Sequence, residues 1–254
     1  MIARFPDLAG RVAVVTGGSR ALGAATAQLL ACNGMLVAVV GRDIEALETV
    51  RETLWNAGGR AAAIVCDCTD PDALANLVEE VEKELGPPAV LAAFAGGAGA
   101  PKPSLQLSLD DWNQTVAGNL TSTFATIQAF APGMVDRGRG SIVTMSSAAG
   151  RQPSQANVAY AVAKAGVGML TKHLAAELAP HGIRLNCIAP SAVRNERMDR
   201  HMTEEQLQRL GATFPLGRIG APDDVAAATA FLASDASGWI TGTTLDISGG
   251  KIVL

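Results

Sequence analysis

Short apolar runs alternate with amphipathic stretches along almost the whole of this chain, and that alternation limits its fold more than any other feature. Strand-like runs fall at Val12–Thr16, Leu36–Val40, Ala61–Cys66, Val90–Ala95, Ile142–Met145, Leu185–Ala189 and Thr244–Ile247. Between them lie helix-like stretches at about 22–33, 44–57, 71–85, 109–136, 157–179 and 223–233. Near-continuous apolar strands joined by helical crossovers imply a parallel sheet buried on both faces. Asp70-Pro71 and Ala221-Pro222-Asp223-Asp224 read as helix starts, and Gly34, Gly58-Gly59, Gly86 and Gly182 as helix ends. The expected fold class is α/β: a doubly wound Rossmann-type sheet of seven mostly parallel strands with helices on both faces. No linker or repeat divides residues 1–254, so a single domain is expected. Only residues 190–220 leave the alternation; Met198, Met202, Leu207, Leu210 and Phe214 there suit a lid over the carboxyl edge of the sheet, or a surface helix packing its apolar stripe.

At 254 residues, 48% apolar and 17% charged, the chain is able to bury a large core. A net charge of −4 argues against nucleic acid or an anionic membrane as partner. No signal-type apolar segment follows Met1, and no run reaches the ~18 apolar residues of a membrane span, so a soluble cytoplasmic chain is expected. Cys32, Cys66, Cys68 and Cys187 show no metal-type spacing and read as small apolar filler; Cys66 and Cys68, two apart on a probable strand, point the same way.

The chemistry concentrates at four places. Thr16-Gly17-Gly18-Ser19-Arg20-Ala21-Leu22-Gly23 joins the first strand to a helix. Such a turn lets backbone approach a pyrophosphate at a helix N-terminus. The second strand ends in Gly41-Arg42, where an acid would bind a ribose 2′-hydroxyl. With no acid there, Arg42 and Arg20 suit a 2′-phosphate, hence NADP over NAD; singly, each also reads as a solvated surface charge. Asp43 reads as the N-cap of the next helix. Tyr160, the only tyrosine, stands one helical turn before Lys164. A cation there is expected to pull the phenol below its ordinary value near 10 and ready it for proton transfer. Ser147 lies 13 positions before Tyr160.

In their order and spacing these pieces resemble the classical short-chain dehydrogenase/reductase family over essentially the whole chain. Besides the Thr16–Gly23 turn and Tyr160…Lys164, the resemblance rests on Asp67, Ala95-Gly96, Gly118-Asn119-Leu120, Ser146-Ser147, Asn186–Pro190, Pro215–Arg218 and Ile240–Gly242 through Gly249-Gly250. It implies a 3-oxoacyl reductase-like enzyme that uses NADPH/NADP+ to reduce a ketone. Tyr160 is implied as general acid, Lys164 as its activator and ribose anchor, Ser147 as substrate orienter, and Asn119 as anchor of a water relay. Ser146 is structural in that reading. The implied cofactor contacts are Gly17, Ser19, Arg20, Leu22, Gly23, Arg42, Asp67, Ala95, Gly96, Tyr160, Lys164, Pro190 and Val193. A homotetramer or homodimer is implied through the stretches 109–136 and 157–179, with Thr115, Leu120, Thr123, Phe124, Ile127, Ala161, Ala165, Gly168 and Met169 as candidates. The tail Lys251-Ile252-Val253-Leu254 is either a further contact or packed on its own domain.

The chain departs from the family at Ala21, where glycine is usual, at Ala93-Phe94, where two asparagines are usual, and at Ser191, where glycine is usual. These departures leave open a non-catalytic NADP-binding sensor or assembly protein. An alcohol dehydrogenase working in the oxidative direction is also open. Arg151, Gln152 and Gln155 suit a polar substrate or a solvated loop. Arg194, Arg197, Arg200 and Arg209 alternate with Glu196, Asp199, Glu204 and Glu205, which favours a self-neutralised surface over a site for acidic groups.

Overall fold

A computed structural model describes residues 3–99 and 101–253. Its strands are β1 Val12–Thr16, β2 Leu36–Gly41, β3 Arg60–Val65, β4 Pro88–Ala93, β5 Gly140–Met145, β6 Ile183–Pro190 and β7 Thr244–Ile247. They form one sheet in the order β3-β2-β1-β4-β5-β6-β7. Every adjacent pair is parallel, so the expected "mostly parallel" becomes wholly parallel. The helices are α1 Ala21–Cys32, α2 Ile44–Asn56, α3 Pro71–Glu84, α4 Leu109–Val116, α5 Ser122–Asp136, α6 Val158–Leu178, α7 Glu196–His201, α8 Glu204–Gly211 and α9 Pro222–Ala233.

Strand periodicity sorts the core into two layers. Ala13, Val15, Val37 and Val39 face Ala27, Leu30, Leu47, Leu54 and Val225 of α1, α2 and α9. Val12, Val14, Ala38 and Val40 face Leu74, Leu77, Ile127 and Phe130 of α3 and α5. Each fully buried large aliphatic side chain contributes roughly 1.5–3 kcal/mol of transfer free energy. The strand order reverses between β1 and β4, and the crevice beyond the carboxyl ends of those strands is where such sheets bind ligands.

Three expectations change. β4 ends at Ala93, because the Thr16 hydroxyl accepts from the N–H groups of Phe94 (3.0 Å) and Ala95 (3.1 Å). β3 ends at Val65, so Cys66 and Cys68 lie in the loop beyond it; both are still buried, as filler would be. The stretch 109–136 is α4 and α5 separated by a wide turn at Ala117–Thr121 with π-type hydrogen bonding. Gly118 lies inside that turn, and Ser122 and Thr123 turn their hydroxyls back onto the carbonyls of Gly118 and Asn119. Such bulges are used to aim a side chain, here Asn119.

Among the described residues, no helix is long and apolar enough to cross a membrane. In the tail, Ile252 is buried and its N–H donates to Ser248 Oγ (3.1 Å), whereas Val253 is exposed; Leu254 lies outside the described residues.

Candidate active site

The glycine-rich turn is cramped because backbone crosses backbone there. Gly17 has φ +65°, and a Cβ on it would lie 2.8 Å from the Phe94 carbonyl oxygen. A Cβ on Gly23 would overlap the Gly17 carbonyl oxygen. The turn thus delivers the N-terminus of α1 to the β1/β4 crevice without side chains in the way. Ala21 is the one non-glycine residue with positive φ, +45°, among the described residues. Its methyl group sits where glycine was expected, and the backbone has kept the glycine conformation.

Arg20 and Arg42 stand differently. Arg20 makes a short, exposed ion pair with Asp43, whose other oxygen accepts from Ala46 N–H and caps α2. The cap was expected; the pairing was not, and it is an exposed ion pair that leaves the Arg20 reading untested. Charges of opposite sign that follow the neighbouring strands β1 and β2 meet at the carboxyl edge. Arg42 is exposed and forms no ion pair among the described residues. Beyond β3, Asp67 accepts from Thr69 N–H (2.9 Å) and Thr69 Oγ1 (2.7 Å); these bonds first, and Arg42 more weakly, hold its carboxyl below the usual range.

Tyr160 and Lys164 lie on α6, and Ser147 ends the segment that leaves β5. Lys164 is 4% exposed, donates to the Met145 carbonyl (2.8 Å), and has Nζ 5.7 Å from the Tyr160 ring centre. Burial lowers its ammonium to about 8, with Cys187 opposing. For Tyr160 the expectation fails: burial pushes the phenol up, and the Ser147 hydroxyl only partly offsets this. A helix pattern shows that Lys164 is near; it does not show how little water reaches the phenol. Ser147 accepts from Ala149 N–H (3.2 Å), which leaves its own hydrogen to donate. Ser146 donates to the Lys164 carbonyl (2.6 Å) and is structural, as expected.

Asn119 clamps the loop after β4. Its Nδ2 donates to Gly97 O (3.1 Å) and Thr115 O (2.9 Å), and its Oδ1 accepts from Gly97 N–H (3.1 Å). One lone pair of Oδ1 remains uncommitted. Pro190 and Val193 are buried where the chain leaves β6; Ser191 N–H donates to Ile247 O (3.0 Å) and Val193 bridges to Gly220. Met145, whose carbonyl holds Lys164, and Cys187 near it carried no sequence signal. Thr16, which stitches β1 to β4, was visible only as part of the motif.

Two groups of arginines settle elsewhere. Arg151 is tied to Asp246 on β7 rather than open to substrate. In the 190–220 segment Arg194 meets Asp199 and Glu204, Arg200 meets Glu196, and Arg209 meets Glu205, the self-neutralised surface that the charge pattern favoured.

The family described as Enoyl-(Acyl carrier protein) reductase matches residues 17–251. The chain is 37% identical to a D-threitol dehydrogenase of Mycolicibacterium smegmatis over 246 residues, 97% of this chain and 94% of that protein. It is 32% identical to the 3-oxoacyl-(acyl-carrier-protein) reductase FabG of Escherichia coli over 247 residues, 96% of this chain and 98% of that one. Its fold is similar to a crystal structure of NAD+-bound xylitol dehydrogenase, with a TM-score of 0.90 at 30% identity, covering 96% of this chain and 99% of that chain. With a matching wall-to-wall sequence and a seven-stranded parallel sheet of the same kind, the chain belongs to the short-chain dehydrogenase/reductase family of oxidoreductases.

Proposed function

We propose that this protein reduces a ketone, of 3-oxoacyl or polyol type, to a secondary alcohol with NADPH. The observation that carries the reading is Tyr160 between the Ser147 hydroxyl and buried Lys164 at the carboxyl edge of the sheet. The residues suit a dinucleotide: Gly17 and Gly23 leave backbone bare at the α1 N-terminus, and Arg42 forms no ion pair among the described residues. Gly17, Ser19, Leu22 and Gly23 would hold the pyrophosphate side, Asp67, Ala95 and Gly96 the adenosine side, and Pro190, Val193 and Lys164 the nicotinamide side. Arg42 would take the 2′-phosphate. When bound, the nicotinamide supplies the hydride.

The chain's own groups handle the proton. Burial keeps the phenol protonated at neutral pH, which is the form a general acid needs. Tyr160 gives that proton to the carbonyl oxygen while Ser147 donates a hydrogen bond to the same atom. Lys164 steadies the negative charge left on the phenolate, and Asn119 carries the proposed water relay through its uncommitted lone pair. The relatives named as dehydrogenases of D-threitol and xylitol support a second direction, oxidation of an alcohol through the same groups reversed.

The test is a panel of 3-oxoacyl thioesters and ketoses read by NADPH consumption, run again with alcohols and NADP+. Turnover that falls at least 1000-fold in Tyr160→Phe, with cofactor binding kept, is expected. No turnover in either direction would leave a non-catalytic cofactor-binding protein. We also propose a homotetramer, or a homodimer, assembled through α5 and α6. Thr123 and Ile127 are buried within the chain and drop out as contacts, whereas Phe124, Val162 and Met169 stay exposed there. Light scattering of the native protein should exceed the 26.0 kDa of one chain; a 26.0 kDa particle refutes the assembly.

A further inference from the structure

Arg151 lies four residues past Ser147, at the end of the turn Ala148–Gly150. Its guanidinium bridges Asp246 with two bonds, Nε to Oδ1 at 2.9 Å and Nη2 to Oδ2 at 3.0 Å. The two side chains are 23% and 18% exposed. They stand 95 residues apart in sequence and join the Ser147 turn to the edge strand β7.

The turn is gripped from two sides. On one, a Cβ on Gly150 would come within 2.6 Å of the Lys164 and Ala165 backbone, so the turn presses against α6. On the other, the ion pair draws it toward β7. Inside the turn, Gly150 N–H donates to Ser147 O (2.9 Å) and Arg151 N–H to Ala148 O (3.0 Å), so a displacement of Arg151 is passed back to Ser147. Asp246 is fixed in turn, because the next residue, Ile247, accepts from Ser191 N–H beside Pro190. A two-pronged guanidinium–carboxylate contact sets direction as well as distance, and partial burial shields it from salt.

We infer that the Arg151–Asp246 ion pair is a positioning element of the active site, fixing the 147–151 turn against β7 and thereby placing the Ser147 hydroxyl opposite the Tyr160 phenol. Arg151 touches no reacting atom in this arrangement. Only the kinetic part of the inference rests on the proposed ketone reduction.

Tyr160 is the only tyrosine, so its ultraviolet ionisation spectrum reads the site directly. A stopped-flow pH jump records it before alkaline unfolding. Ser147 holds the phenol down, against burial. Lys164 on α6 lies beside the ring and keeps its own contacts in both variants, whereas Cys187 on β6 feels the Arg151 charge, an effect whose sign differs between Arg151→Gln and Asp246→Asn. Loss of the pair should therefore raise the phenol midpoint toward that of Ser147→Ala in both Arg151→Gln and Asp246→Asn. A mere change of local charge would move the two variants in opposite directions, and opposite shifts overturn the inference. So does an unmoved midpoint in two variants that keep the native circular dichroism. Should Arg151→Gln fail to fold, Arg151→Lys keeps the charge, loses the two-pronged geometry and carries the same reading.

For turnover, kcat should fall roughly 10- to 100-fold with cofactor affinity unchanged, as for a displaced orienting group. The reversed pair, Arg151→Asp with Asp246→Arg, should recover part of it. If the native protein reduces no ketone, the proposed function fails while the tyrosine titration still decides this inference.

Discussion

The two edges of the sheet differ in whether a buried cation is left without a carboxylate beside a reactive side chain: Arg20 and Arg151 are paired at the carboxyl edge, but Lys164 next to Tyr160 is not, among the described residues. At the amino edge, a cavity of about 510 Å³ is lined by Arg11, Arg139, Arg184, Asp235 and Trp239. Arg11 and Arg139 share Asp235, at 3.0 and 2.9 Å. Arg11 foremost, and then Arg139, hold that carboxyl below its usual range against burial. Arg184 donates to the Ser234 carbonyl (3.0 Å) and Ser141 Oγ (3.3 Å), at the negative end of α9. Arg11 and Arg139 are answered by a carboxylate, while Arg184, which burial pushes down, is held by several carbonyls and one hydroxyl. At the carboxyl edge, among the described residues, Lys164 is buried on one carbonyl with no carboxylate partner and exposed Arg42 makes no ion pair. Cavities do not separate the edges, since another of about 410 Å³ is lined by Ser191, Asp246 and Ile247 at the carboxyl side. The buried charge of Lys164 points to the carboxyl edge, and it is the better guide to chemistry because desolvating a charge without a partner costs stability that function explains.

The comparison breaks most easily at Lys164. Depressing its ammonium from 10.5 to about 8 costs about 3 kcal/mol, of which a lost hydrogen bond to Met145 would return about 1. Lys164→Met should therefore lose at least 100-fold in turnover yet stabilise the fold by about 2 kcal/mol, raising Tm by roughly 4–8 °C. The sign with pH follows from proton counts. Between about 8 and 10.5 the unfolded chain holds the Lys164 proton and the folded chain does not. Wild-type stability from this group therefore climbs across that window. The variant's advantage is full below pH 8 and gone by 10.5. Arg184→Met at the amino edge should do the reverse, lowering Tm, since its N–H groups serve the end of α9. A fall in Tm for Lys164→Met at pH 7 would erase the contrast.

Arg42 sharpens the contrast by ligand rather than by stability. Arg42→Ala should weaken NADPH by about 10- to 100-fold, the worth of one charge-assisted contact, and leave NADH nearly unchanged. Arg139→Ala at the other edge should change neither affinity. Titration calorimetry with both cofactors decides it, and equal losses for the two would make Arg42 structural.

What the sequence disclosed, and what it withheld, follows the range of the forces involved. β1 and β7 match their expected bounds residue for residue, because apolar runs between turn residues are local signals. Tyr160 and Lys164 were legible for the same reason: one helical turn is a local distance. The end of β4 was not, since a hydroxyl on β1 removes two of its N–H groups from the ladder. The partners of Arg20 and Arg151 were not legible either. Asp43 is 23 residues away and Asp246 is 95, and only the folded chain selects them from the other acids. The direction of the Tyr160 shift was misread because spacing gives proximity and burial is a tertiary property.

Ala21 offers the smallest effect and a separate view of the same edge. An L-residue in the left-handed region bears roughly 1–2 kcal/mol of strain, and Ala21 at φ +45° is in that region. Glycine is free of the strain but gives up about 0.5–1 kcal/mol through the greater freedom of the unfolded chain. Ala21→Gly should thus stabilise by about 0.5–1 kcal/mol, a rise in Tm of roughly 1–4 °C. The turn already has the conformation glycine prefers, so NADPH affinity should hold or improve as the methyl group leaves the crevice. Thermal melts with and without NADPH read both quantities in one series. A lower Tm would mean that the Ala21 methyl packs well enough to outweigh its strain. A higher Tm with weaker NADPH binding would mean that the strain itself shapes the turn for its ligand, as stored strain does at functional sites.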